Sequence, residues 1–311
     1  EPLEVKWENR LIDALGNPLP PFITGKDNTS LGFDDYTGRS VIDTSLHWAY
    51  SLPGYTAYNI PDHGVPIVTH VHGGHSDFQF DGNPEFFFSP GFEIKGPQFV
   101  DKTYKYDNSQ GAGNLWYHDH ALGITRLNVY AGLAGFYFLR DKDDTGDTKN
   151  KLNLPAWPYE KAYAIQDRMF LENGELFYPA FPGNPFYGDF IYGEGADLSS
   201  GYPEFFGLFD NPNYDPDDPE TEPETGYGPT ALAEFFGDHM VVNGLIWPKE
   251  DVEPRNYRLH LLNGTDSRFM AIRFRAATSP TSTNLIGAGP PLTFHVVGND
   301  QGLASSATLI E

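Results

Sequence analysis

Residues 66–72 read Pro-Ile-Val-Thr-His-Val-His, and residues 115–120 read Leu-Trp-Tyr-His-Asp-His. Each stretch is rich in β-branched or aromatic residues and ends on a His-x-His pair, a composition typical of a β-strand. In a strand, residues i and i+2 point to the same face, about 6.6 Å apart along the chain. The two stretches therefore predict two strands that each present two imidazoles on one side.

Similar short runs continue through the 311 residues, between frequent glycines and prolines. Gly (33) and Pro (26) account for about a fifth of the chain. Short strands separated by turn residues indicate a β-sandwich or barrel, so the predicted fold class is all-β, with one short helix expected within 120–133. The further strand-like runs are residues 103–106, 135–139, 240–243, 257–262, 269–274 and 292–297.

Two domains are predicted from shifts in composition. Residues 141–147, Asp-Lys-Asp-Asp-Thr-Gly-Asp, are charged, and the Leu-Pro-Ala-Trp-Pro that follows at 154–158 is typical of a linker. We therefore expect a first domain at 1–145, a linker at 146–159 and a second domain at 160–311.

An acidic insertion interrupts the predicted second domain at about 185–237. Its densest part, residues 215–224, has six acidic residues in ten. We interpret it as a solvated surface segment. A calcium site is the alternative, although the spacing matches no known calcium-binding loop.

Charge and cysteine content exclude several classes of partner and site. The chain has 20 Lys and Arg against 43 Asp and Glu, a net charge of −23 that disfavours nucleic acid and anionic lipid. No apolar run approaches the ~18 residues that span a bilayer, so no membrane span is predicted. Because the chain contains no cysteine, it has no disulfide, thiolate zinc site or cysteine nucleophile.

The two His-x-His pairs predict a metal site. Neutral imidazole suits copper, zinc, iron or nickel. The spacing within a pair is wide for one ion at ~2 Å from each nitrogen, but it fits two histidines that serve neighbouring ions. One pair alone is equally typical of a polar strand face; two pairs favour a cluster held by His70, His72, His118 and His120. We interpret the other histidines as structural or surface residues: His47, His63, His75, His239, His260 and His295.

Longer motifs around these pairs resemble the multicopper oxidases, above all the branch of bacterial spore-coat laccases, bilirubin oxidases and phenoxazinone synthases. The similarity continues in Gln-Asp-Arg at 166–168 and through residues 242–264. The main motifs are Thr-His-Val-His-Gly-Gly at 69–74, Asp-Gly-Asn-Pro-Glu at 81–85, Leu-Trp-Tyr-His-Asp-His-Ala at 115–121 and Thr-Arg-Leu-Asn-Val-Tyr-Ala-Gly-Leu at 125–133.

The resemblance implies a fold and a set of copper ligands. The family has three cupredoxin-like Greek-key sandwiches, of which this chain would hold a complete first and an incomplete second. By position, His70 would bind the type 2 copper of a trinuclear cluster, and His72, His118 and His120 the type 3 pair. Asp81 matches the acid to which the family's proton delivery to O2 is attributed; a turn residue before Gly82 is the alternative. Asp119 would point to the opposite strand face and receives no catalytic role.

The family's remaining ligands, an H-x-x-H-x-H motif and an H-C-H motif that builds the blue copper site, do not occur in this sequence. The resemblance therefore implies a partner, either a second polypeptide or a C-terminal segment, that carries both motifs. Together they would couple one-electron oxidation of a phenol, pigment or metal ion to reduction of O2 to water. The expected location is extracytoplasmic: secreted, periplasmic or on a cell or spore surface. The alternative is a non-catalytic copper-binding or assembly module.

Overall fold

A computed structural model describes residues 1–17, 63–170, 174, 176–177, 235–279, 281–282, 286–300 and 302–311. The predictions for the acidic segment 215–224 and for His47 lie outside these residues.

Strands dominate the described residues, and the all-β prediction is confirmed. The predicted helix within 120–133 is the six-residue α1, Thr125–Tyr130. No helix of the described ranges is long and apolar enough to cross a membrane. The strands are β1 Leu3–Lys6, β2 Thr69–His72, β3 Thr103–Tyr106, β4 Gly113–Asp119, β5 Ala134–Leu139, β6 Glu160–Phe170, β7 Leu176–Phe177, β8 His239–Val242, β9 Leu245–Ile246, β10 Arg258–Asn263, β11 Phe294–Asn299 and β12 Gly302–Ile310.

Strands β2, β4 and β5 form an antiparallel sheet that carries both His-x-His pairs. The register places His70 opposite His118 and His72 opposite Trp116. Because alternate side chains of a strand point to opposite faces, Val71 lies on the other side of β2, where it is almost fully buried. One face of this sheet therefore presents imidazoles while the other packs on the core.

The core beneath this sheet is mostly aromatic and aliphatic. Tyr104 of β3 and Leu115 of β4 are at most 2% exposed, and α1 contributes Leu127 and Tyr130. Short 3-10 turns at Phe78–Phe80, Pro84–Phe86 and Pro90–Phe92 lie in the chain between β2 and β3. Each fully buried large side chain contributes roughly 1.5–3 kcal/mol by leaving water, so this core holds the imidazole-bearing strands rigidly in place.

A second sheet has β6 at its centre, in the order β10-β6-β8-β9 with β7 also paired to β6. Strands β10 and β6 are parallel, with Arg258 opposite Glu160. Asn243 and Gly244 both have positive φ (50° and 85°), as a tight hairpin between β8 and β9 requires. Strands β11 and β12 form a separate antiparallel hairpin.

The predicted strand at 269–274 is wrong. This segment has no ladder; it makes one hydrogen bond, from Leu292 N to Phe274 O, beside an isolated bridge between Arg275 and Pro291. The register of that bridge would place residues 292–297 opposite 269–274, and most of that stretch pairs with β12 as part of β11. The run 269–274 therefore lacks the hydrogen-bond ladder that defines a strand.

A group of charged residues, most of them buried, joins the first sheet to the second. We call it the His260 seam; it consists of Arg140, Asp144, Glu160, Arg258 and His260. Arg258 donates to both carboxylate oxygens of Asp144 at 3.0 and 2.7 Å. Glu160 accepts from Arg140 at 3.0 Å and lies 2.6 Å from Nε2 of His260. The predicted linker, 146–159, lies between β5 and β6.

Candidate metal centre

Strands β2 and β4 bring four imidazoles together on one face of the first sheet. One nitrogen from each of His70, His72 and His118 lies within 4.8 Å of the other two. His120, one residue past β4, stands beside them, with its ring stacked on that of His70 at 4.9 Å between centroids. The rings of His118 and His120 are 5.7 Å apart. The structure thus gathers all four histidines that the sequence analysis selected.

Backbone carbonyl oxygens orient three of these rings. Since a carbonyl only accepts hydrogen bonds, the contacting Nδ1 carries the proton in each ring. The Nε2 atom is then unprotonated and free to bind a metal ion. The contacts are His70 Nδ1 to Asp81 O at 2.5 Å, His118 Nδ1 to Asp119 O at 2.6 Å and His120 Nδ1 to Gly82 O at 2.9 Å.

His72 is oriented differently from the other three histidines. Its Nδ1 faces Nε2 of His118 at 3.3 Å. Two nitrogens at that separation can both lie about 2 Å from one ion. The two histidines of this pair come from different strands, β2 and β4.

The pKa values of two of the rings are lowered, that of the buried His118 and that of the more exposed His72. His118 is only 7% exposed, and burial lowers its pKa to about 4, against a smaller upward effect of its bond to the Asp119 carbonyl. The pKa of His72 is lowered by burial and then by the charge of His70, while Asp300 raises it. Both imidazoles are therefore neutral at pH 7, the state in which they bind metal.

Trp116 belongs to the motif at 115–121, and the structure gives it a direct place in this centre. Its ring lies against His118, with 4.3 Å between centroids, and stacks on His72 at 5.2 Å. The signal was present in the sequence, because residues 116 and 118 share one face of a strand. Trp116 therefore contacts the rings of both His72 and His118.

Asp81 has contacts that fit both of its interpretations, the proton-delivering acid and the turn residue before Gly82. Its carboxylate Oδ1 lies 3.3 Å from His70 Nδ1, and the side chain is 45% exposed. Its backbone N–H also closes the 3-10 turn that ends at Phe80. The next residue must be glycine: Gly82 has φ +75°, and a Cβ there would lie 2.2 Å from Thr69 O. This tight turn delivers two carbonyls to the cluster.

Asp119 lies on the opposite face of β4, as expected from its position between two same-face histidines. It is 3% exposed, and its carboxylate accepts three hydrogen bonds. Oδ1 accepts from Val68 N at 2.9 Å; Oδ2 accepts from Ala121 N at 3.1 Å and from Asn128 Nδ2 at 3.0 Å. Burial raises its pKa to about 7, against the downward pull of these donors.

The remaining described histidines have other surroundings. The backbone N–H of His75 donates to Gln110, His239 contacts Asp238, and His260 contacts Glu160. Among the described ranges, the group of His70, His72 and His118 is the one whose nitrogens are close enough to hold a metal ion. Neutral imidazoles with fixed tautomers suit copper, so these residues fit the ion that the motifs implied.

Comparisons with known proteins agree with this chemistry. A family model described as multicopper oxidase matches residues 62–144, which include all four histidines. A laccase of Bacillus stratosphericus is 35% identical over 268 residues, which cover 86% of this chain and 38% of that protein. A laccase of Bacillus subtilis (strain 168) is 36% identical over 204 residues, 66% of this chain and 32% of that protein.

Among solved structures, the multicopper oxidase McoA from the hyperthermophile Aquifex aeolicus matches with a TM-score of 0.48 and 22% identity. The match covers 79% of this chain and 39% of that structure. The chain therefore spans less than two fifths of the length of each of these three proteins.

Proposed function

The chain is a member of the multicopper oxidase family, a family that uses copper, and from this premise we propose that it supplies half of the ligands of a trinuclear copper cluster. His70 binds the type 2 copper, and His72, His118 and His120 bind the type 3 pair. The observation that carries this proposal is the convergence of four imidazoles from two adjacent strands, three of them with ring nitrogens within 4.8 Å of one another.

We propose further that the complete protein is an oxidase of the laccase type. Its partner segment carries the H-x-x-H-x-H and H-C-H motifs. The substrate is a small reducing molecule, such as a phenol, a pigment or a metal ion. Each of four substrate molecules loses one electron. One O2 takes up those four electrons and four protons and becomes two waters. Copper, when bound, supplies the one-electron redox chemistry and the affinity for O2.

The chain's own residues prepare this centre. The carbonyls of Asp81, Gly82 and Asp119 accept hydrogen bonds from Nδ1 of three histidines, so the Nε2 atoms of these rings are left unprotonated and would bind copper. The half-exposed carboxylate of Asp81 takes protons from solvent and delivers them to the O2 being reduced.

The same proposal includes the domain boundaries and the location. The first domain, residues 1–145, carries the ligands; residues 146–159 are a linker, and residues 160–311 belong to a second cupredoxin-like domain with an insertion at about 185–237. The protein acts outside the cytoplasm. Its excess of acidic over basic residues is compatible with a secreted enzyme.

The test uses the complete natural protein, purified without chelator. Copper is counted by elemental analysis, and O2 uptake is followed with hydroquinone as the electron donor. The proposal predicts bound copper and consumption of one O2 per four electrons donated. Bound copper without O2 uptake would favour the non-catalytic copper-binding module instead. Absence of copper after reconstitution with Cu(II) would overturn both interpretations.

A further inference from the structure

The carboxylate of Asp119 connects three separate parts of the first domain. Val68 donates to it from just before β2, Ala121 from just after His120, and Asn128 from α1. Two of these partners are close in sequence to proposed ligands: Val68 precedes His70 by two residues, and Ala121 follows His120 directly.

A second contact makes this connection reciprocal. The backbone N–H of His120 donates to Val68 O at 2.8 Å, while Val68 N donates to Asp119 Oδ1 at 2.9 Å. The regular pairing of β2 with β4 ends at Thr69 opposite Asp119. These two bonds therefore continue the pairing past the end of the ladder, where His120 has left the strand.

The helix side of the network is fixed in the same way. The amide nitrogen of Asn128 donates to Asp119 Oδ2 at 3.0 Å and to Pro66 O at 2.9 Å. Asn128 is 5% exposed, so water does not replace its hydrogen bonds to Asp119 and Pro66. The backbone carbonyl of Asp119, meanwhile, orients the ring of His118.

We propose that Asp119 is a positioning residue that sets the distance between the imidazoles of β2 and those of the His118–His120 segment, and so determines the copper affinity of the cluster. The inference rests on the proposed function. Its physical basis is that a carboxylate offers acceptors on both oxygens, whereas each of its three partners presents an N–H. An amide in its place accepts at one oxygen only and turns a donor toward the remaining N–H groups.

The decisive variant is Asp119→Asn in the complete natural protein. The apoprotein is titrated with Cu(II), and affinity is measured together with the copper EPR spectrum. We expect about tenfold weaker copper binding and altered hyperfine splitting, the lower end of the effect that residues behind metal ligands have. Asn128→Ala, which removes one of the three donors, should give a smaller loss in the same direction.

A matched control comes from Asn9. It is 4% exposed and also makes three hydrogen bonds, donating to Val65 O and Phe88 O and accepting from Leu11 N, but it contacts no proposed ligand. Asn9→Ala should lower the melting temperature while the copper affinity and the EPR spectrum stay as in the wild type.

Each outcome decides the proposal. If Asp119→Asn lowers only the melting temperature, as Asn9→Ala does, Asp119 is purely structural and this inference is overturned, although the proposed function stands. If Asp119→Asn does not fold, the copper affinity of Asn128→Ala tests the inference in its place. A wild-type affinity in Asn128→Ala would overturn the inference. If the wild type itself binds no copper, the proposed function fails and this inference fails with it.

Discussion

Two buried histidines, His118 and His260, have the same exposure, 7%, but opposite surroundings. His118 faces other imidazoles and a tryptophan ring, and its one hydrogen-bond acceptor is a neutral carbonyl. His260 lies 2.6 Å from the carboxylate of Glu160, which also contacts Arg140 and Arg258. Burial alone therefore does not distinguish a metal ligand from a structural histidine; the neighbouring groups do.

The difference between the two regions has an electrostatic meaning. In the His260 seam, positive and negative side chains already compensate each other, so the group is complete without any further ion. In the imidazole cluster, unprotonated nitrogens converge on one another, and neighbouring copper ions would satisfy them. We therefore propose that the cluster binds copper and the seam does not.

The largest expected effect comes from replacing each of the two histidines, in turn, by alanine. His118→Ala should remove type 3 copper and abolish O2 reduction, while the blue copper of the partner segment remains reducible by substrate. His260→Ala should leave copper content and O2 uptake unchanged and lower stability only. An O2 electrode and stopped-flow bleaching of the blue absorption measure both properties. Normal turnover in His118→Ala would refute the ligand assignment.

The next largest effect tests whether the seam is held by its own charges. Arg258→Met leaves Asp144 buried without its bidentate partner and removes one cation from Glu160. Breaking such a buried pair should cost about 3–5 kcal/mol of unfolding free energy in urea titrations.

The control for Arg258 lies three residues earlier. Arg255 pairs with Glu253 at 3.7 Å on the surface, so Arg255→Met should cost about 0–1 kcal/mol. Equal losses for the two arginine variants would contradict the structural role of the seam, and a change in the copper spectrum of Arg258→Met would contradict its separation from the cluster.

A third effect concerns Asp81, the acid beside the imidazole cluster. Asp81→Asn keeps the backbone carbonyl that orients His70 but removes the proton-carrying carboxylate. We expect the copper content to be retained and the rate of O2 reduction to fall about 100-fold, roughly 2.7 kcal/mol in the barrier. Retained copper with an unchanged rate would assign Asp81 to the turn alone.

The smallest effect is the pH dependence of the seam. Burial lowers the pKa of His260, although its hydrogen bond to Glu160 raises it in part. Burial raises the pKa values of Asp144 and Glu160, but hydrogen bonds and charges from the arginines outweigh it and the net pKa values are lowered.

All three shifts make the protein less stable in acid. The unfolded His260 takes up a proton below about pH 6.5 while the folded one stays neutral, so stability falls as the pH drops from there. The lowered carboxylate pKa values add a further loss below about pH 4. His260→Gln should reduce the slope between pH 6.5 and 5, by at most about 1.4 kcal/mol per pH unit. Superimposable urea profiles of wild type and variant would contradict this.

Much of the imidazole cluster was predictable from the sequence because its geometry is local. Two His-x-His pairs on strands give side chains on one face, and the structure joins the two strands in register. The orientation of the rings was not predictable in this way. It depends on the turn at Asp81 and Gly82 folding back against Thr69, and no pattern in the sequence gives that approach.

The seam and the irregular segments were beyond sequence reasoning for a different reason. Arg258 and Asp144 are 114 residues apart, so spacing along the chain does not predict their contact; the parallel alignment of β10 with β6 places Arg258 opposite Glu160. The strand predicted at 269–274 is wrong because a strand requires a hydrogen-bonded partner, and the composition of the run does not determine whether another segment pairs with it.

Anomalous scattering at the copper absorption edge, measured on crystals of the complete natural protein, tests the four proposed ligands most directly. We predict peaks about 2 Å from Nε2 of His70, His118 and His120 and from Nδ1 of His72, and no peak at His260. Crystals with copper elsewhere in the protein but none at these four nitrogens would contradict it.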